Sequence, residues 1–159
     1  MEEVEEQVKK ILVIISLLLI TGCSFNDRKE LISSRLEMDL SNCTIASEKD
    51  THGGFLGDGD YFAKIICTDK EDSEIKSEWN ELPLTDELRD VMNLVQCDGK
   101  GCKDAYEKYN IPDIENGYYL FVDRHEEKDK KFDERASYNF SLGIYDGDNK
   151  IIYYYELDT

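Results

Sequence analysis

Apolar and polar residues alternate through the last third of the chain, and a period of two predicts half-buried β-strands. Residues 138–145 and 150–157 carry this pattern around a turn sequence, and a two-residue loop at Gly147-Asp148 is typical of a type II′ hairpin. That register places four apolar pairs on one face: Ile144 with Ile151, Leu142 with Tyr153, Phe140 with Tyr155, and Tyr138 with Leu157. The other face is predicted to be polar, apart from Tyr145 and Tyr154.

A second hairpin is predicted around the stretch 50–60. Residues 43–48 run into this stretch and residues 61–67 run out of it. Its four glycines suit a turn in which the backbone needs positive φ angles. A hairpin symmetric about residue 55 gives two cross-strand pairs: Cys43 with Cys67, and Ile45 with Ile65.

Apolar residues spaced by three and four positions predict helices between residues 69 and 97. Thr85 is a good N-cap for the second of them. Trp79 and Met92 fall on the apolar stripes, so we interpret them as core residues and not as a ligand site. Residues 117–122 are apolar at both alternating sets of positions, which is typical of an interior strand.

These elements predict a small α+β domain over residues 36–159. It has an antiparallel sheet of about five strands, with one or two helices inserted between strands 2 and 3. The alternation of apolar and charged residues at 36–40 predicts a strand that enters the fold. Residues 23–35 are polar and mixed, as in a tether with room for a short helical turn around Leu31 and Ile32. The charged run 125–134 is interpreted as a solvated loop.

The N-terminal part of the chain has the pattern of an export signal. Two lysines precede residues 11–20, of which all but one are apolar. This run is too short for a membrane span and is typical of a signal peptide. It ends in Ile20-Thr21-Gly22-Cys23, which resembles the bacterial lipobox. The resemblance implies that residues 1–22 are removed and that Cys23 is acylated, which anchors the protein on the extracytoplasmic face of a bacterial membrane.

Residues 1–7 hold four acids and no base, whereas a signal peptide normally begins with a basic segment. We hypothesise that translation begins at Val8, so that the initiating Met is followed directly by the two lysines. Peptides from residues 2–7 in an unprocessed precursor would contradict this hypothesis.

Acidic residues outnumber basic residues along the chain. The sequence holds 36 acids and 19 bases, of which the first 22 residues contain four and two. Residues 23–159 therefore carry 32 acids and 17 bases, a net charge of −15. Such a charge opposes binding to nucleic acid or to an anionic membrane surface, which leaves the lipid as the membrane attachment. The acidity favours solubility or, alternatively, a cationic partner such as a metal ion, a basic peptide or a basic protein.

Four cysteines follow Cys23, and an even number in an exported chain suggests disulfides. The symmetric hairpin predicts a bond between Cys43 and Cys67. The short glycine-containing loop between Cys97 and Cys102 predicts a second bond. A zinc site is the alternative, although the four-residue gap in that loop fits zinc poorly.

The stretch 50–60 holds the best candidate for a functional site. It gathers three carboxylates and an imidazole on a glycine-rich turn: Asp50, His52, Asp58 and Asp60. Such groups can ligate a divalent cation or act as an acid–base pair, although the ligand spacing of an EF-hand is absent. The alternative is a long hairpin turn in which aspartate and glycine serve turn geometry alone.

Five short segments stand out together: His52-Gly53-Gly54-Phe55, Gly57-Asp58-Gly59, the stretch from Trp79 to Leu82-Pro83-Leu84, Asn116-Gly117-Tyr118-Tyr119, and Leu157-Asp158-Thr159. They resemble a group of small exported proteins of Gram-positive bacteria over about residues 36–159. The resemblance implies that the 50–60 stretch has a role. It adds no mechanism, because the group brings no assigned activity.

We therefore expect a lipid-anchored envelope protein that acts as a non-enzymatic binding or interaction module. The chain contains no P-loop, zincin, nucleophile-elbow or dinucleotide-binding motif. The alternative is a metal-dependent or acid–base enzyme of the envelope, centred on His52 and the aspartates of the 50–60 stretch. No cofactor is predicted beyond the divalent cation of that alternative. A structural component of an envelope complex is a third hypothesis.

Overall fold

Helices and strands alternate along the part of the chain that the structure, a computed structural model, describes: residues 24–53, 57–94, 96–98 and 101–159. The first elements are α1 (Ser24–Leu36), β1 (Thr44–Asp50), β2 (Gly59–Ile66), α2 (Asp69–Glu78) and β3 (Asn80–Glu81). Next come α3 (Asp86–Met92), β4 (Gln96–Asp98), β5 (Gly101–Lys103) and α4 (Ala105–Tyr109). The last are β6 (Gly117–Asp123), a 3-10 turn (Phe132–Glu134), β7 (Asn139–Asp146) and β8 (Ile151–Asp158).

Six of these strands form one antiparallel sheet in the order β1-β2-β8-β7-β6-β3. Strands β4 and β5 form a separate short hairpin. Helices α2, α3 and α4 lie between β2 and β6, which are the second and third of the predicted strands. The α+β class with an antiparallel sheet is therefore confirmed, and the sheet has one strand more than the sequence pattern indicated.

Helices cover both faces of the sheet. On one face, α1 and α2 bury apolar side chains such as Ile32 and Ile75 against the strands. On the other face, α3, α4 and the 3-10 turn do the same with side chains such as Met92 and Phe132. Because both faces are buried, β7 and β8 carry apolar or aromatic residues at both alternating sets of positions.

The C-terminal hairpin has the predicted apolar face but not the predicted register. Its strands pair two residues further along: Ile144 with Tyr153, Leu142 with Tyr155, and Phe140 with Leu157. The connection is the four-residue loop 147–150, because the Asp146 carboxylate accepts hydrogen bonds from the backbone N–H groups of Asp148 and Asn149, both at 3.0 Å. A shift of two residues leaves each side chain on its face, and all eight predicted residues belong to one core cluster or pack against it.

The opposite face of this hairpin carries predicted polar residues such as Ser141 and Glu156, but it is buried. Tyr145, Ile152 and Tyr154 lie there in a second core cluster, together with apolar residues of α1 and α2. The Tyr145 hydroxyl donates to Asp72 of α2 at 2.8 Å, so its polar atom is satisfied inside the fold. The sequence pattern did not indicate the helices that cover this face.

Residues 24–35 form most of α1 in place of the predicted tether, and residues 36–40 end this helix where a strand was predicted. Glu37 adopts a φ of 52°, and Met38 N donates to Ser33 O at 3.1 Å, which is a Schellman end of a helix. The buried apolar residues at 36, 38 and 40 therefore alternate because they pack around a helix end.

The charged run 125–134 is less solvated than predicted. His125 and Phe132 are buried. Just beyond the run, Arg135 has a side chain that is only 3% exposed and pairs with Asp123 at 2.8 Å. One buried guanidinium thus holds a sequence of mainly charged residues against the domain.

The remaining sequence predictions for the core are confirmed. Thr85 caps α3 by accepting a hydrogen bond from Leu88 N at 3.3 Å. Trp79 and Met92 are buried. Strand β6 lies inside the sheet, between β7 and β3.

Candidate functional site

The 50–60 stretch connects β1 and β2, as predicted. The two strands pair Ile45 with Ile65, which is the predicted register. A bulge between Ile45 and Ser47 then shifts the pairing by one residue toward the loop. Residues 54–56 of the loop lie outside the described residues.

Gly59 allows the two sides of the loop to approach each other closely. A Cβ atom at this position would lie 2.5 Å from His52 Cα, nearer than non-bonded atoms permit, so the position requires glycine. Gly59 also pairs with Asp158 at the end of β8. The loop and the C-terminal strand therefore meet at His52.

Asp50 and His52 form a pair at the end of β1. Asp50 Oδ1 accepts a hydrogen bond from His52 N at 3.0 Å and lies 2.7 Å from His52 Nδ1. Arg28 of α1 binds the other carboxylate oxygen at 2.5 Å. Burial acts to raise the pKa of Asp50, but the hydrogen bonds from His52 and the charge of Arg28 outweigh it, and the pKa is lowered.

A second carboxylate lies on the other side of the His52 ring. Asp158 Oδ2 is 3.3 Å from His52 Nε2, a contact without hydrogen-bond geometry. Arg124 binds Asp158 at 2.7 Å and Glu156 at 3.0 Å. Glu156 in turn accepts a hydrogen bond from the Tyr154 hydroxyl at 2.5 Å. Both ring nitrogens of His52 thus face carboxylates of one continuous network.

Asp60 lies on the opposite face of the sheet from this network. It is 1% exposed, and Lys108 of α4 binds its two carboxylate oxygens at 2.9 and 2.7 Å. The Thr51 hydroxyl is also hydrogen-bonded to it. Burial acts to raise the pKa of Asp60, but the bonds from Lys108 and Thr51 outweigh it, and the pKa is lowered. Burial and the nearby Asp60 carboxylate raise the pKa of Tyr109.

The four predicted site residues therefore do not converge on one cavity. Asp50 and His52 belong to the network on the α1 face, whereas Asp60 is bound to α4 on the other face. Asp58 is exposed and contributes its backbone carbonyl to Gly53 N at 3.3 Å. The sheet itself separates the groups that the sequence places together.

The described residues bring together no group of three or more histidine, cysteine, aspartate or glutamate side chains that could hold a metal ion. The acids around His52 are instead bound to Arg28 and Arg124, and a guanidinium excludes a cation from the oxygens it occupies. The geometry therefore gives no support to a divalent cation at these residues.

Cys43 and Cys67 are buried free thiols that lie next to each other. A hydrogen bond between them lowers the pKa of Cys43 and raises that of Cys67. The predicted disulfide between them stays a prediction. Strands β4 and β5 place Cys97 opposite Cys102, but their side chains lie outside the described part of the chain, as do residues 1–23 with the predicted lipid-attachment cysteine.

Sequence reasoning missed five charged residues that complete the two clusters: Arg28, Lys108, Arg124, Glu156 and Asp158. They come from α1, α4, the position directly after β6, and β8, so no local spacing connects them with the loop. The alternation of β8 did place Glu156 and Asp158 on one face, but the pairing of β8 with β2 was needed to bring them to His52.

Comparisons with known proteins add no name to this site. The chain matches neither a protein-family model, nor a curated protein, nor a solved structure at a significant level. In the described part, none of the helices is both long and apolar enough to cross a membrane. The lipobox and the likeness to small exported proteins stay predictions from the sequence.

Proposed function

We propose that this protein is a lipid-anchored binding module on the extracytoplasmic face of a bacterial membrane, and that it binds a cationic protein or peptide. Cys23 would carry the lipid, and the acidic domain would make the contact. One observation mainly supports the proposal: the acidic surplus lies in exposed side chains, whereas Arg28 and Arg124 bind the acids of the candidate site.

Several exposed basic residues are bound by acids within the same molecule. Lys70 pairs with Asp39 at 3.1 Å, and Lys76 pairs with Asp72 at 2.8 Å. If all 17 bases of residues 23–159 were paired one to one, 15 of the 32 acids would still remain. This surplus produces a negative potential that attracts a cationic partner and accelerates its association.

Further exposed acids are spread over α3 and over the loops on either side of β6: Asp90, Asp113, Glu115, Glu126 and Asp129. Their desolvation on binding would be offset by lysine and arginine side chains of the partner. A divalent cation would interact with such carboxylates only weakly, so we propose that the protein works without a resident cofactor.

The geometry of the candidate site favours binding over catalysis. His52 has a carboxylate at each ring nitrogen, so neither nitrogen faces a space in which a substrate atom could accept or donate a proton. Asp60 is bound by Lys108 on the far side of the sheet and cannot act with His52. The network stabilises the end of the sheet near the 50–60 loop.

The anchor is tested by labelling bacteria that express the full chain with a tagged fatty acid. The wild-type protein is expected to carry the label and to sediment with membranes. Cys23→Ala is expected to lose both properties, while the control Cys43→Ala keeps them. A label that persists in Cys23→Ala would overturn the anchor.

The binding role is tested with two labelled peptides of equal length, one alternating lysine with leucine and one alternating glutamate with leucine. The full chain is expected to bind the lysine peptide at least about tenfold more tightly, since opposite charges attract across an interface. Equal affinity for the two peptides would overturn the proposal.

A further inference from the structure

An apolar groove of about 470 Å³ opens next to β3. Most of the residues that line it are apolar, among them Leu82, Leu84, Ile111, Pro112, Ile114 and Ile144. A concave apolar surface of this size is large enough to enclose one or two bulky side chains of a partner. Exposed apolar grooves with polar rims are typical of interaction sites.

The rim of the groove is acidic. Asp113 lines the groove and is exposed, and the exposed Glu81 and Glu115 directly flank Leu82 and Ile114 in the sequence. The lining contains one base, Arg89, whose guanidinium is bound to Asp86. Because Arg89 is paired with Asp86 inside α3, the acids of the rim keep a negative charge around the apolar centre of the groove.

Helix α1 begins at the β1 side of the sheet. Near its start, Arg28 binds Asp50 of β1 and lies 5.0 Å from the ring centroid of Tyr61 in β2. At its end, Leu36 packs against Gly143 of β7. The helix therefore runs across the sheet from the β1 side, and Cys23 directly precedes its first residue.

The groove lies at the opposite edge of the sheet, because β3 is the last strand in the order β1-β2-β8-β7-β6-β3. Five interstrand spacings separate the two edges, a distance of about 24 Å. A protein held to a membrane at the β1 side would thus keep this groove away from the bilayer and open to a partner.

We infer that the groove next to β3 receives an apolar side chain of the cationic partner, while lysine or arginine residues that neighbour this side chain pair with the acidic rim. The acidic rim favours a partner with lysine or arginine residues, and the apolar centre favours an apolar side chain next to them. This inference rests on the proposed function and assigns the contact to one surface.

The inference is tested with the full chain and two labelled peptides of equal charge, one alternating lysine with leucine and the other lysine with serine. Fluorescence anisotropy gives their dissociation constants. The leucine peptide is expected to bind about tenfold more tightly, because only its side chains can occupy the groove.

The double variant Asp113→Lys/Glu115→Lys is expected to weaken binding of the leucine peptide about tenfold. Its control is Glu30→Lys/Asp58→Lys, which makes the same charge change at exposed positions of α1 and of the 50–60 loop and is expected to change affinity less than about threefold. All four positions are exposed, and equal melting temperatures would show that both variants fold.

The possible outcomes distinguish the proposed function from the groove assignment. If the wild-type chain binds neither peptide, the proposed function and the groove both fail. If it binds both peptides equally, or if the two double variants weaken binding to the same extent, then charge alone explains the binding and the groove assignment is wrong. If Asp113→Lys/Glu115→Lys weakens binding and its control does not, the proposed function and the groove assignment are both supported.

Discussion

Asp60 is buried at the start of β2 and bound by Lys108 of α4, which makes it a structural residue of the candidate loop. Asp60→Asn removes one charge of this pair, and we expect it to lower the free energy of unfolding by about 2 kcal/mol, less than for a fully buried pair because Lys108 retains some contact with solvent. Urea unfolding measures the change. Asp58→Asn, at an exposed position of the same loop, is the control and should change it by less than about 0.5 kcal/mol.

The pH dependence of stability provides a second readout for Asp60. Its pKa is lowered in the folded chain, so its carboxylate contributes stability above the unfolded-state pKa of about 4. That contribution is lost as the pH falls toward the folded-state value. Unfolding free energies measured below pH 4 should therefore fall less steeply for Asp60→Asn than for the wild type. Identical slopes would mean that the pair with Lys108 contributes nothing.

Gly143 in β7 tests how closely α1 and the β3 region pack on the sheet. A Cβ atom there would lie 2.6 Å from Trp79 Cη2 and 3.1 Å from Leu36 Cδ2, and a buried indole cannot easily move away. Gly143→Ala should lower the free energy of unfolding by about 1–3 kcal/mol. Gly53→Ala is the matched control, since the nearest atom to its Cβ would be 3.9 Å away; equal effects would contradict the packing.

Among the secondary-structure elements, α1 differs most between sequence and structure. If it is part of the core, Leu36→Ala should lower the free energy of unfolding by about 3 kcal/mol through the lost burial and the cavity. Leu31→Ala on the exposed side of the same helix should have an effect below about 1 kcal/mol. Chemical denaturation measures the free energy of unfolding of both variants. A Leu36→Ala variant as stable as the wild type would contradict the packing of α1 and favour the predicted tether.

Cys43 and Cys67 lie where the start of β1 and the end of β2 meet, and their thiols touch. We predict that they form a disulfide in the protein recovered from an oxidising compartment. Mass spectrometry of the digested chain without reduction should show the two peptides joined and two hydrogen atoms lighter. Full alkylation of both cysteines without prior reduction would contradict the disulfide.

Local patterns predicted the elements that depend on local chemistry. The cap of α3, the apolar stripes of α2 and α3, the pairing of Ile45 with Ile65, and the apolar face of β7 and β8 all follow from periodicity or from a capping residue. The register of the last hairpin was wrong by two residues because Asp146 organises a longer turn. Helix α1 was missed because most of its 13 residues are polar, so the sequence shows no clear apolar stripe.

On the scale of the whole molecule, the candidate site could not be predicted because it depends on strand order. The residues that bind Asp50, His52 and Asp60 come from α1, α4 and β8, which are distant in sequence. The sheet places two of the predicted acids on opposite faces, a separation that no one-dimensional spacing shows. Composition, in contrast, predicted the acidic surface directly.

The acidic surface leads to the proposal that the domain binds a cationic partner by electrostatic attraction. The most direct measurement is the dissociation constant of the full chain for the alternating lysine–leucine peptide at about 0.05 M and about 0.5 M salt. We predict that high salt weakens binding at least about tenfold, because exposed charges are screened. An affinity that does not change with salt, or tighter binding of the glutamate–leucine peptide, would contradict binding by electrostatic attraction.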